Sequence, residues 1–185
     1  MTLGQKIKRI RTFRDLTQKQ LGVLLGYTES NADVRIRQYE QDDKAPRKEN
    51  LMRFAEVLGI NYVSLTGGEA GSMEYIMQTL FWLEEATPGL INIIQLEKIP
   101  RKKGAKKNPD HRENDMSVKY HDGDDWPTYL PACIWFKQNA LNEFVADWLA
   151  KKKEVRAGKI TKDEYFEWKL NWPNYSKGGN DNAKT

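Results

Sequence analysis

The sequence predicts a mainly α chain, with a five-helix N-terminal domain and then a small α+β domain of a helix, two strands, a long helix and a short helix. Three observations carry this. Through residues 1–66 apolar side chains recur at helical spacing, and Gly or Pro punctuates the runs. A glycine-rich stretch, Thr66-Gly67-Gly68-Glu69-Ala70-Gly71-Ser72, interrupts that pattern and reads as a linker. Beyond it, an Ile/Leu-rich run and an alternating run stand between two helical patterns. The predicted organisation is therefore 1–66, a linker at 67–72, a second domain at 73–175 and a flexible tail at 176–185.

In the first segment, Leu3, Ile7, Ile10 and Phe13 share one helical face, with basic residues between them. Thr17 reads as the N-cap of a second helix, because its hydroxyl can accept from a first-turn N–H. Leu21, Leu24 and Leu25 are that helix's apolar residues, and Gly26 ends it. Ala32 to Glu40 reads as the third helix, capped by Ser30 or Asn31 and broken by Asp42 to Pro46. Glu49 to Leu58 is the fourth, with Leu51, Phe54, Ala55 and Leu58 on one face and Gly59 as its stop. Asn61 caps a short fifth turn, Tyr62 to Leu65.

In the second segment, Met73 to Ala86 reads as an amphipathic helix stopped by Thr87-Pro88-Gly89. Leu90 to Ile99 reads as a strand, residues 100–115 as an exposed loop, and Met116 to His121 as a second strand paired with the first. Cys133 to Arg156 is the longest helix candidate. Thr161-Lys162-Asp163-Glu164 is a capping-box pattern opening a last helix, whose Tyr165, Trp168 and Trp172 share a face and which stops at Pro173.

Composition excludes several classes. The 20 aromatics (6 Trp, 8 Tyr, 6 Phe) argue against wholesale disorder. One cysteine cannot form an intramolecular disulfide or a multi-cysteine zinc site. No apolar stretch approaches the roughly 18–20 residues a membrane span needs. The N-terminal segment lacks an apolar signal core, so a cytoplasmic location is expected. The net charge of +4 is unevenly distributed: residues 1–28 hold six basic groups and one acid. Such clustering suits a polyanionic partner, although a solvated basic face has the same composition.

The segments LTQKQLGVLLGY, VRIRQYEQ and APRKENLMRFAEVLGINYVSL carry a resemblance. Residues 3–65 resemble the helix-turn-helix domain of Xre-type, lambda-repressor-like and Cro-like regulators of Gram-positive bacteria and their mobile elements. The agreement runs through Thr17-Gln18, Leu21, Ile36, Tyr39-Glu40, Pro46, Leu51, Ala55, Leu58-Gly59 and Leu65. Two features depart from the pattern. The connector before the third helix is longer than the family's tight turn, and Gly22 stands where alanine is usual.

The resemblance implies a sequence-specific regulator bound to a double-stranded DNA operator, expected to repress as a homodimer on a palindromic site. Ile36 and Tyr39, three apart, face inward, leaving Val34, Arg37, Gln38 and Gln41 largely on other faces. By resemblance, Arg37 and Gln38 are the first base-reading candidates, followed by Asp33, Val34 and Arg35. Arg matches guanine O6/N7 and Gln matches adenine N6/N7. Gln18 resembles the family's phosphate-binding glutamine, and Lys44, Arg47 and Lys48 are expected on the backbone. Arg11 and Glu40 match a structural salt bridge between the first and third helices.

Dimers place two recognition helices about 34–36 Å apart. Ile134, Leu141, Trp148 and Val155 recur at sevens, with Phe144 between them, and form a partial heptad. A core-facing amphipathic helix explains the same spacing. The basic run Arg101 to Lys107 reads either as a backbone-contacting arm or as a solvated loop. The second domain can also take a protein or small-molecule effector. An alternative role is that of an antitoxin or anti-defence protein, whose C-terminal domain binds a protein while the N-terminal domain autoregulates. Enzyme readings fare badly. Cys133 with His121 lacks a nucleophile signature, and His111 and His121 near Asp110, Asp115 and Asp122 fit no standard metal spacing. There is no phosphate-loop or dinucleotide motif, and no cofactor is expected.

Overall fold

Local capping chemistry sets most of the helix starts. Thr2, Thr17 and Thr161 each accept from a backbone N–H three residues on, and Gln5, Gln20 and Glu164 reach back to the N-cap nitrogen. Asn61 and Ser72 cap through their side chains as well. In this computed structural model, which describes residues 1–91, 93, 97–98, 116–117 and 139–173, the helices are α1 (Leu3–Phe13), α2 (Gln18–Leu24), α3 (Ala32–Glu40), α4 (Lys48–Leu58), α5 (Tyr62–Thr66), α6 (Met73–Ala86), α7 (Asn139–Arg156) and α8 (Lys162–Asn171).

The described architecture is all-helical, which corrects the expected α+β second domain. Among the described residues, extended pairing is limited to a two-residue antiparallel pair of strands, Glu97 opposite Ser117 and Lys98 opposite Met116. The other described elements after Ser72 are helices, Met73–Ala86, Asn139–Arg156 and Lys162–Asn171; a short apolar run such as Leu90 to Ile99 has no periodicity that by itself fixes a strand. Most of residues 90–99 and 118–121 lie outside the described residues, as do the loop 100–115 and the tail 176–185.

The division of the chain also differs from the expected one. The described residues of Met1–Ile91 and Glu154–Thr185 form one compact unit, and those of Asn92–Lys153 form another. Segment 67–72 lies within the first of these units. One apolar cluster joins Ile7, Ile10, Leu21, Ile36, Phe54 and Leu58 to Trp82 of α6 and to Phe166 and Leu170 of α8. Phe13 meets Phe166 edge-on, with centroids 4.8 Å apart.

Polar contacts pin α8 in place. Ser64 Oγ and Asn61 N both donate to the Leu170 carbonyl, at 2.6 and 3.0 Å. Gln78 Nε2 donates to the Trp172 carbonyl at 3.1 Å, and Trp82 Nε1 donates to the Ser64 carbonyl at 2.7 Å. Lys169, only 4% exposed, is held between Glu84 (3.3 Å) and Glu85 (3.1 Å). Glu85 also pairs with Arg9 of α1. A buried ammonium needs such partners, because an isolated charge would be too costly to desolvate. In the second unit, Leu141, Trp148 and Leu149 of α7 are buried.

Arg14, at the end of α1, donates to both carboxylate oxygens of Glu167 and to the carbonyls of Leu58 and Gly59. These hydrogen bonds hold the Glu167 carboxyl below its ordinary range. In the unfolded chain it returns to about 4.3. The ion pair therefore contributes fully above that value and is lost as pH falls through the lower folded value. Thermal melts should show a shallower acid limb, below about pH 5, for Glu167→Gln than for the wild type. Coincident limbs contradict this assignment.

Candidate nucleic-acid interface

The α2–α3 pair is built by close approach. A Cβ on Gly22 would lie 2.6–2.7 Å from the carbonyl oxygen, Cα and Cβ of Ala32. The departure from alanine at this position thus has a steric cause: α3 begins directly against α2. The longer connector reaches that position through a turn at Thr28, whose carbonyl accepts from Asn31 N and Ala32 N. Asn31 occupies the N-cap of α3 without a side-chain cap bond, and its Nδ2 donates to Thr28 Oγ1 instead.

The far end of α3 is fixed just as closely. A Cβ on Gly4 would meet the Tyr39 and Glu40 carbonyl oxygens at 2.4 and 2.7 Å. Asp42 accepts from Gly4 N at 2.8 Å and from Thr2 Oγ1. These bonds satisfy a first-turn N–H of α1 and tie it to the turn after α3.

Between these two points lies a buried polar knot. Arg11 donates from Nε and Nη2 to the two oxygens of Glu40 and from Nη1 to the Leu16 carbonyl. Gln18 Nε2 donates to Glu40 Oε2 at 2.8 Å. The Glu40 side chain is 3% exposed and that of Arg11 is 11% exposed. The expected Arg11–Glu40 pair is therefore present, and it includes Gln18, a link the sequence pattern did not reveal. Gln18 is half-buried at the first turn of α2, with one amide N–H on Glu40 and the second left over.

Ala32, Ile36, Tyr39 and Glu40 are the buried residues of α3. Asp33, Val34, Arg37 and Gln41 are exposed, and Gln38 is half-exposed beside them. At about 100° per residue, Val34, Gln38 and Gln41 cluster opposite the buried face, with Arg37 at their margin. Arg35 is set apart: it lies on the flank near Tyr39, half-buried, with its guanidinium 5.8 Å from the Tyr27 ring centre. Its placement depends on Tyr27, which follows Gly26 at the end of α2. Lys44, Arg47 and Lys48 are all exposed at the α3–α4 turn and the start of α4. Arg47 is the N-cap residue of α4, which has no side-chain cap bond.

The heptad residues are placed differently from a free seam. Leu141 and Trp148 are each 1% exposed within the single chain, and Phe144 and Val155 are half-buried. Leu141 and Trp148 thus follow the core-facing explanation of the spacing and offer no surface to a second copy in this conformation. Ile134, Cys133, His111, His121 and the basic run 101–107 lie outside the described residues. Among the described residues no helix is long and apolar enough to cross a membrane. No protein-family model matches the chain, and none of the curated proteins matches it.

Two outcomes follow from this packing. Gly22→Ala should lower the melting temperature, because overpacking against backbone costs about 1–3 kcal/mol while the helix-propensity gain is only about 1 kcal/mol. An unchanged or raised melting temperature contradicts the close approach. Glu40→Ala leaves the Arg11 guanidinium buried and unpaired. It should lose about 3–5 kcal/mol of stability in denaturant titration, and a loss below about 1 kcal/mol, as at exposed pairs, contradicts the burial of the pair.

Proposed function

We propose that the protein is a cytoplasmic, sequence-specific double-stranded-DNA-binding regulator of the Xre-type helix-turn-helix class, acting as a repressor that occupies its operator as a homodimer. The observation that carries the reading is the two-sided character of α3. Ile36, Tyr39 and Glu40 anchor one side, and Val34, Gln38 and Gln41 stand on the opposite side with Arg37 at its margin. A helix that enters a major groove needs such an anchored, otherwise unobstructed face.

In this reading Gln38 and Arg37 make the base-edge contacts, with Val34 available to a thymine methyl group. Asp33 sits at the start of α3 and accepts from cytosine N4 where the sequence provides it. Gln18 offers its remaining amide N–H to a phosphate, held in aim by Glu40. Lys44, Arg47 and Lys48 neutralise backbone charge beside the groove and contribute affinity without sequence preference.

Selection of bound sequences from random duplex DNA tests the reading, and an inverted repeat among them is the expected mark of the dimer. On the selected duplex, Arg37→Ala and Gln38→Ala should each lose about 1–3 kcal/mol of discrimination against substituted bases, with the melting temperature nearly unchanged. Wild-type base preference in both variants contradicts the assigned reading face.

A further inference from the structure

A cleft of about 540 Å³ opens on the flank of α3, lined by Tyr27, Arg35, Tyr39, Lys44, Arg47 and Glu49 among others. Three cations face one acid there. Among the described residues, no ion pair engages Arg35, Lys44 or Arg47. The Arg35 guanidinium is oriented instead by the Tyr27 ring, which leaves its fork of donors available.

The two tyrosines add a neutral donor. Their hydroxyl oxygens are 3.1 Å apart, so one O–H is used between them. Among the described residues the second O–H has no acceptor. Burial and the hydrogen bond with Tyr39 push the Tyr27 phenol up to about 12, so Tyr27 keeps its proton at neutral pH. A guanidinium fork, two further cations and a surplus hydroxyl proton around one cleft suit a multidentate anion.

We infer that this cleft is a phosphodiester site, in which Arg35 and the Tyr27–Tyr39 hydroxyl pair grip one phosphate of the duplex backbone beside the groove. The inference rests on the DNA-binding reading and deepens it: Arg35 sets the register of α3 on the duplex and reads no base. Lys44 and Arg47, which also line the cleft, add charge to the same phosphate's surroundings.

Duplexes of the selected sequence, each carrying a single neutral methylphosphonate at a different position, test this when titrated with the wild-type protein, Arg35→Gln and Tyr27→Phe. One position per half-site should weaken wild-type binding about tenfold and leave Arg35→Gln indifferent. Arg35→Gln should bind every sequence more weakly by the same factor, with a salt slope shallower by about one. Tyr27→Phe should weaken binding at an unchanged slope, because it removes a donor and no charge. A changed base preference in Arg35→Gln overturns the inference, as does the absence of any methylphosphonate position that Arg35→Gln masks. Displacement of duplex from the wild type, but not from Arg35→Gln, by micromolar ATP assigns the cleft to a free phosphorylated ligand and overturns it too. A wild-type protein that retains no duplex at all overturns the underlying reading instead.

Discussion

One buried carboxylate organises the N-terminal helices. Glu40 sits at the end of α3, accepts from Arg11 of α1 with both oxygens, and accepts from Gln18 at the start of α2. Three helices thereby converge on one nearly buried group. Removing any partner leaves charge or donor capacity buried without compensation, which is far costlier than losing an exposed pair. The orientation of α3 is therefore over-determined: Gly22 sets its start, and Gly4, Asp42 and Glu40 set its end. A rigidly held helix can present a fixed row of side chains, which base-edge recognition requires.

The second constraint is the cap made by α6 and α8. A five-helix domain of some 65 residues buries a modest core on its own. Here Trp82, Phe166 and Leu170 extend that core, and the Lys169–Glu84–Glu85–Arg9 network crosses from α8 through α6 to α1. Arg14 closes the arrangement by satisfying α4's terminal carbonyls and gripping Glu167. The last described helix is thus part of the N-terminal core, and residues 92–153 form an excursion in sequence between two halves of one unit.

What was legible in the sequence was local. The caps at Thr17, Asn61 and Thr161 depend on residues within one turn, so spacing suffices to find them. The inward faces of Ile36 and Tyr39 follow from helical period alone. What was missed is set by distant partners. The glycines at 67, 68 and 71 resemble a flexible linker in composition, yet they form the turn that brings α6 back onto α1 and α5. Arg35 reads as one more polar residue of α3 until Tyr27 is placed beside it. The sevenfold spacing of Leu141 and Trp148 fits a dimer seam and a core face equally, and burial distinguishes them.

The central claim is that the outward side of α3 is the surface that meets duplex DNA. Backbone amide chemical shifts of the full chain, followed by NMR as the selected duplex is added, test it most directly. The account predicts the largest shifts at Val34, Arg37, Gln38 and Gln41 and in the turn from Asp42 to Lys48, with α8 undisturbed. Shifts confined to residues 92–153, with α3 unmoved at saturation, would contradict it.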